Sequence, residues 1–154
     1  MTAVEAFISA TKFRAKAYYY LYEEMVSELG SEKAIVIFTK ATYRLGVDKA
    51  DSFSDNAGIS PEELAKEFVK DDIGREVFDQ SVIKVDGNMA TVEMKRCPLV
   101  EMWKEMNLSD EMIEKLCDVA HRIDFGTVEG KGFKLKFSSK ISCGDGSCIL
   151  EISK

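Results

Sequence analysis

The spacing of hydrophobic residues changes near Ser81, and this change limits the chain to a few folds. Before Ser81, apolar residues such as Ala10, Phe13 and Ala17 recur at three- and four-residue steps, which is the period of an amphipathic α-helix. After Ser81, apolar and polar residues alternate, as in a β-strand with one buried face. Helices followed by strands that are joined by hairpins predict an α+β fold with an antiparallel sheet, not a doubly wound parallel sheet.

The first half of the chain is predicted to form three helices. They are expected over residues 4–29, over 34–45 with an extension to 53, and over 60–69. Gly46 is either a stop for the second helix or a flaw that the helix tolerates. The third helix has the clearest start, because Ser60 can cap it, Pro61 suits its first position and Glu63 completes a capping box. Residues 54–59 and 71–74 are predicted to be loops.

The second half is predicted to contain two hairpins with two helices between them. The strands are expected at 82–85, 89–94, 133–137 and 148–152, and the helices begin at Pro98 and Ser109. We expect one antiparallel sheet, with the central helices on one face and the N-terminal helices on the other. The chain is predicted to be a single domain over 1–154, with a helical part (1–75) and an α+β part (76–154).

Charge and cysteine content exclude some classes of function. The net charge of −6 and the absence of a basic stripe argue against nucleic acid and anionic membranes as partners. No apolar run approaches the ~18 residues that span a bilayer. The four cysteines form no C-x-x-C pair, and we expect them to be reduced in a cytoplasmic protein. A small-molecule ligand is the expected partner, and a homo-oligomer stays open.

Cys97 is the first candidate for catalysis. Pro98 fits the first position of a helix, which makes Cys97 its N-cap, next to Arg96. The positive end of a helix and a neighbouring cation both favour the thiolate. We therefore predict a Cys97 pKa below the free value of about 8.5.

Cys117, His121 and Asp124 form a second candidate group. Their spacing of four and three residues places them on one helix face, if the helix extends that far. They could act as nucleophile, base and orienter, or as metal ligands, whereas Cys117 could also be ordinary core, as free cysteines often are. Should a metal be present, zinc or an iron–sulfur cluster on Cys97, Cys117 and Cys148 would be the expected form, although no cofactor is required by the sequence.

Aromatic residues and a further acid complete the candidate site. Tyr20, from the tyrosine cluster of the first helix, and Trp103 are predicted to line a substrate cavity, and Asp118 to hold a substrate cation. The alternative for the tyrosines is a first helix that is buried on two sides.

Several short segments together resemble a known family. They are Arg14-Ala-Lys-Ala, Ala41-Thr-Tyr-Arg-Leu-Gly46, Arg96-Cys-Pro-Leu99 with Trp103, Asn107-Leu-Ser109, Leu116-Cys-Asp118 and Gly144-Asp-Gly-Ser-Cys148. In this order they resemble the L-2-amino-thiazoline-4-carboxylic acid hydrolase family. The resemblance implies a hydrolase that opens a small cyclic amidine-like ring. The closing segment also resembles 4-vinyl reductase-type domains, which implies small-molecule binding.

Two functions follow from these observations. In the first, Cys97 or a water near it attacks the amidine carbon, His121 moves the proton, and Asp124 or Asp118 orients the imidazole or holds the substrate cation. In the second, the protein binds a small apolar molecule or a metal without catalysis, and the cysteines are ligands or core.

Overall fold

The structure is a computed structural model that describes residues 1–154. Its helices are α1 (Ala3–Leu29), α2 (Ser31–Asp51), α3 (Pro61–Phe68), α4 (Asp72–Phe78), α5 (Pro98–Glu105), α6 (Asp110–Ala120) and α7 (Arg122–Gly130). Its strands are β1 (Gln80–Asp86), β2 (Met89–Met94), β3 (Lys134–Ser139) and β4 (Cys148–Ser153). The predicted α+β class is confirmed. None of the helices combines the length and the apolar character needed to cross a bilayer.

Side-chain caps fix the starts of several helices. Thr2 and Glu5 form a capping box at α1, in which the Glu5 amide donates to the Thr2 hydroxyl at 3.1 Å and the Glu5 carboxylate accepts from the Thr2 amide at 2.7 Å. Ser60 and Ser109 accept hydrogen bonds from backbone amides in the first turns of α3 and α6, each at 3.2 Å. The predicted starts of the third helix and of the helix after Ser109 are therefore confirmed.

Three local predictions were wrong. Residues 71–74 are not a loop, because the Asp71 carboxylate accepts from the Gly74 amide at 2.7 Å and so caps α4. Residues 54–59 contain a short 3-10 helix, Asp55–Gly58. The helix after Ser109 ends at Ala120 and a separate α7 follows, so three helices, not two, lie between the hairpins.

The four strands form one sheet in the order β1-β2-β4-β3, and every neighbouring pair is antiparallel. This confirms the predicted single antiparallel sheet. Val92 lies opposite Val82 on one side and Leu150 on the other, and Ile152 lies between Ala90 and Leu135. Most of these apolar side chains are buried, which fixes the register because a one-residue slip would expose them.

The N-terminal helices do not cover the second face of the sheet, contrary to the prediction. That face carries Lys134 and Lys136, which are exposed. α1 instead packs on α5, and α2 packs on α7. The lysines explain the difference, since a face that holds charged side chains in solvent does not bury an apolar helix.

The buried side chains form two clusters. The sheet cluster joins the inner face of the sheet to α3 and α7, and includes Leu64, Phe68, Val92, Val128, Leu150 and Ile152. The helical cluster joins α1 to α5 and α6, and includes Ala15, Tyr22, Trp103, Ile113 and Leu116. The molecule therefore has a sheet-based and a helix-based half.

Helices α2 and α7 connect the two halves through backbone contact. A Cβ atom on Gly46 would lie 2.0 Å from the carbonyl oxygen of Ile123, and one on Gly126 would lie 2.1 Å from the carbonyl oxygen of Tyr43. The Thr127 hydroxyl donates to the Gly46 carbonyl at 3.1 Å. Gly46 is therefore neither a helix stop nor a tolerated flaw, because it is the point where a second helix approaches.

We predict that Gly46→Ala lowers the free energy of unfolding by at least about 1–3 kcal/mol, the usual cost of overpacking, because its Cβ overlaps a backbone oxygen that cannot move alone. Gly58→Ala is the control, because nothing lies within 4 Å of its Cβ position. Chemical denaturation measures both variants. Equal stability of the two would contradict the backbone contact.

Candidate active site

A cavity of about 350 Å³ lies between the sheet cluster and the helical cluster. Its walls come from all the α-helices and from all four strands. More than half of the residues that line it are hydrophobic, among them Phe53, Phe68, Phe78, Met94, Leu99 and Phe137. A mostly apolar cavity of this size with a few polar groups is typical of a small-molecule site.

Three charged side chains line the cavity without any hydrogen bond or ion pair to protein, and we call them the unpaired charged group: Arg14 of α1, Lys49 of α2 and Asp124 of α7. The Arg14 Nε is buried and has no acceptor. Burial raises the pKa of Asp124, while the charges of Lys49 and Arg14 lower it. These cations therefore lie near Asp124 without pairing with it.

The other charged residues of the lining have partners. Glu67 accepts from Ser54, Asp71 caps Gly74, Arg96 binds Glu101, and Lys140 donates to Asp118. The unpaired charged group is therefore distinct from the charges that stabilise the fold.

Cys97 occupies the predicted N-cap of α5, but its environment differs from the prediction. Arg96 makes a two-point ion pair with Glu101, at 2.7 and 3.1 Å, so its charge is already compensated. Burial raises the pKa of Cys97 to about 11, although the Val100 amide acts in the opposite direction. The predicted lowering of the Cys97 pKa is therefore wrong.

The remaining thiols of the cavity, Cys117 and Cys148, are protonated as well. Burial raises the pKa of Cys117 to about 12 and also raises that of Cys148, whose sulfur accepts from the Ile141 amide at 3.3 Å. Cys97, Cys117 and Cys148 all line the same cavity. No three His, Cys, Asp or Glu side chains are arranged to hold a metal ion, so the conditional metal site gains no support.

His121 lies at the break between α6 and α7, which separates the predicted helix face into two parts. Its Nδ1 lies 3.8 Å from the Cys117 sulfur, and its ring stacks on Phe137 with centroids 4.7 Å apart. Burial lowers the pKa of His121 to about 4. His121 and Asp124 both line the cavity, but no hydrogen bond joins them, so Asp124 does not orient the imidazole.

The predicted substrate-binding residues separate into two groups. Trp103 is fully buried and lines the cavity, with its indole N–H donating to the Ala15 carbonyl at 2.9 Å. Tyr20 is 56% exposed and lies outside the cavity lining. Asp118 also lies outside that lining, with a side chain that is 58% exposed and accepts from Lys140.

The sequence interpretation missed Arg14 and Lys49. Helix spacing could have identified both residues, because each cation lies on the buried face of its helix. Arg14 is three residues after buried Thr11, and Lys49 is three residues after buried Gly46. A charge at such a position faces the protein interior, where it is rare unless it has a role.

We predict that one thiol of the native protein alkylates rapidly at pH 7.5. This should be Cys143, which is exposed, whereas burial raises the pKa of Cys97, Cys117 and Cys148 and keeps these three thiols protonated. Mass spectrometry of the alkylated peptides identifies the site, Cys143→Ser removes the fast phase, and the denatured protein serves as the control with four reactive thiols. A fast phase at Cys97 would contradict its raised pKa.

We predict that His121 makes the protein less stable in acid. Its pKa falls from 6.5 to about 4 on folding, so the unfolded chain binds the extra proton, and the stability present above pH 6.5 is lost as the pH falls towards 4. The loss should approach about 3 kcal/mol at most. His121→Phe keeps an aromatic ring against Phe137 and should show a flatter stability profile over this window. Parallel profiles of the two proteins would contradict a buried neutral imidazole.

Comparison with known proteins extends these observations. No curated protein matches the chain. Among solved structures, a trafficking protein particle complex subunit 3 from Naegleria fowleri, covalently bound to palmitic acid, has a similar fold, with a TM-score of 0.64, 13% identity and coverage of 94% of each chain. The phenol-responsive sensory domain of the transcription activator PoxR, solved with phenol, has a TM-score of 0.57 and 15% identity, over 90% of this chain and 73% of that one.

These two likenesses concern the fold alone, because the identities are low. The family comparison covers the sequence itself. The model of the L-2-amino-thiazoline-4-carboxylic acid hydrolase family matches residues 10–151, which include the whole unpaired charged group and all four cysteines. The chain therefore belongs to the L-2-amino-thiazoline-4-carboxylic acid hydrolase family.

Proposed function

We propose that the protein hydrolyses a small cyclic amidine of the aminothiazoline class and opens its ring. The observation that carries this proposal is Asp124, a carboxyl group that lines the cavity, has a raised pKa and makes no hydrogen bond or ion pair. Family membership supplies the class of substrate. Strongly perturbed ionisable groups in clefts are typical of catalytic sites.

The cavity suits such a substrate in size and character. An aminothiazoline is one five-membered ring with small substituents, and a cavity of about 350 Å³ can enclose it. Its apolar walls, including Trp103 and Phe68, can pack on the ring faces. Enclosure also strengthens any charge interaction with the amidine, because little water remains to screen it.

Hydrolysis requires one water and a group that moves protons. The water oxygen bonds to the amidine carbon between the two nitrogens and the sulfur, and Asp124 takes the water proton and passes it to the ring nitrogen. The resulting tetrahedral adduct then forms a C=O bond and breaks the ring C–S bond. Asp124 carries the hydroxyl proton to the sulfur, so the ring opens to a single product that carries a carbamoyl group on its nitrogen and a free thiol. Cleavage of the C–N bond instead would leave no thiol.

Asp124 suits the role of base better than Cys97 suits that of nucleophile. The reactive form of cysteine is the thiolate, and a pKa of about 11 leaves Cys97 almost fully protonated at neutral pH. Burial makes the Asp124 carboxylate a stronger base, while Lys49 and Arg14 oppose the rise in its pKa. His121 is neutral at pH 7, and we assign it to holding Cys117 and Phe137 in the cavity wall.

Small-molecule binding without catalysis is the second candidate. The mostly apolar lining and the protonated thiols favour it, since a binding cavity needs no activated nucleophile. Such a protein would bind an aminothiazoline carboxylate saturably and return it unchanged. Release of thiol therefore separates the two functions.

We predict that the protein releases one thiol for each molecule of 2-amino-thiazoline-4-carboxylate consumed. Asp124→Asn should reduce kcat by about 10²- to 10⁴-fold, the usual contribution of a general base, because the amide accepts no proton. Asp48→Asn is the matched control, since Asp48 is an exposed acid on α2 beside Lys49. Thiol release is followed with a chromogenic disulfide at catalytic concentrations of protein.

Two results would contradict this assignment. Full activity of Asp124→Asn would remove Asp124 as the base. Complete loss of activity in a folded Cys97→Ser variant would show that the thiol attacks directly. Our proposal expects Cys97→Ser to keep measurable activity, because water is the nucleophile.

A further inference from the structure

We infer that Arg14 and Lys49 form a binding subsite for a carboxylate of the substrate, and that this subsite selects ring compounds that carry one. The inference rests on the proposed function for the identity of the ring. Neither residue belongs to the predicted catalytic group, and each acts by binding and orienting the substrate.

The first observation is the unsatisfied state of Arg14. Its side chain makes no hydrogen bond or ion pair, and its buried Nε has no acceptor. Its guanidinium carbon lies 5.8 Å from the ring centroid of Tyr18. Buried polar groups in native proteins nearly always have a partner, and a guanidinium carries five donors. An unpaired arginine in a cavity wall therefore indicates a ligand acceptor.

The second observation is the position of Lys49. Its ammonium group lies 4.9 Å from the ring centroid of Phe68 and 5.8 Å from that of Phe53, with no carboxylate within ion-pair distance. Arg14, Lys49 and Asp124 all line the same cavity, and the charges of both cations lower the pKa of Asp124. The unpaired charged group thus holds two positive charges against one acid, and a bound carboxylate would balance it.

The side-chain chemistry of Arg14 and Lys49 gives them different roles in binding a carboxylate. Arginine presents a planar fork that binds both oxygens of a carboxylate, whereas lysine acts as a point charge. A ring anchored by its carboxylate at Arg14 can direct its amidine carbon towards Asp124, which is the third member of the unpaired charged group. One subsite therefore provides both affinity and orientation.

Arg122 provides a matched comparison within the same chain. Its Nε is also buried without an acceptor, but Arg122 lies outside the cavity lining. Its guanidinium carbon lies 4.1 Å from the centroid of Phe125 and 5.9 Å from that of Tyr43. Substitution of Arg122 therefore removes a similar buried guanidinium without touching the proposed subsite.

The test uses calorimetric binding of two aromatic probes, 2-aminothiazole-4-carboxylate and 2-aminothiazole, which differ only in the carboxylate. The wild-type protein should bind the carboxylate probe at least about tenfold more tightly. Arg14→Gln should weaken that binding by about 10- to 100-fold, the usual worth of charge-assisted hydrogen bonds, and leave 2-aminothiazole unaffected. Lys49→Met should weaken it less, and Arg122→Gln should keep the preference.

Several results would overturn the subsite: equal affinity of the wild type for both probes, an unchanged preference in Arg14→Gln, or an equal loss in Arg122→Gln. Thermal midpoints verify that each variant is folded. If Arg14→Gln does not fold, Arg14→Lys keeps the charge and should still lose part of the preference, because it lacks the fork. Full retention in Arg14→Lys would then overturn the two-point anchor.

The probes also separate this inference from the proposed function. Both are aromatic, so their binding does not depend on ring opening. A carboxylate preference without turnover of the thiazoline would overturn the hydrolase function alone. Turnover without a preference that depends on Arg14 would overturn the subsite alone.

Discussion

The direct contact of two helix backbones determines where the chemistry of this protein lies. At Gly46 and Gly126 the helices α2 and α7 approach so closely that no Cβ atom fits at either position. The Thr127 hydroxyl donates to Gly46, and the Thr42 hydroxyl donates to the Val119 carbonyl at 2.6 Å, which also fixes the end of α6. This packing brings Asp124, in the first turn of α7, near Lys49 in the last turn of α2.

The cavity exists because the two apolar clusters meet without filling the space between them. Each cluster is packed by ordinary hydrophobic side chains, and the thiols of Cys97, Cys117 and Cys148 lie at the boundary as small, protonated groups. Unpaired charges in such an apolar cavity lower the stability of the fold, since buried polar groups lose their hydration. A chain that keeps Arg14 and Asp124 without partners gives up stability where a ligand can supply the missing contacts.

Much of the fold could be predicted from the sequence, because it depends on local patterns. The change of period at Ser81, the cap at Ser60 and the alternation in the strands led to the correct class and to one antiparallel sheet. The layer arrangement could not be predicted in this way, because it depends on which helices meet. The contact at Gly46 depends on a helix that is distant in the chain, whereas the cap of α4 by Asp71 is a local hydrogen bond that the sequence analysis missed.

The candidate site could be predicted only in part, because local patterns indicate which residues lie together but not how deeply they are buried. Cys97, His121, Asp124 and Trp103 do line one cavity. Their ionisation could not be predicted, because the helix terminus that favours a Cys97 thiolate is visible in the sequence, whereas the burial that outweighs it is not. Tyr20 is exposed, because the side chains that surround the first helix point in all directions and only some meet α5 and α6.

The pH dependence of kcat at saturating 2-amino-thiazoline-4-carboxylate tests the central claim most directly, because it distinguishes a carboxylate base from a thiolate nucleophile. Our account predicts that kcat rises with the ionisation of one carboxyl group, at a pH above the usual pKa of an aspartate side chain. The value of kcat should then level off before the alkaline range. A kcat that continues to rise towards pH 11, where Cys97 ionises, would contradict it.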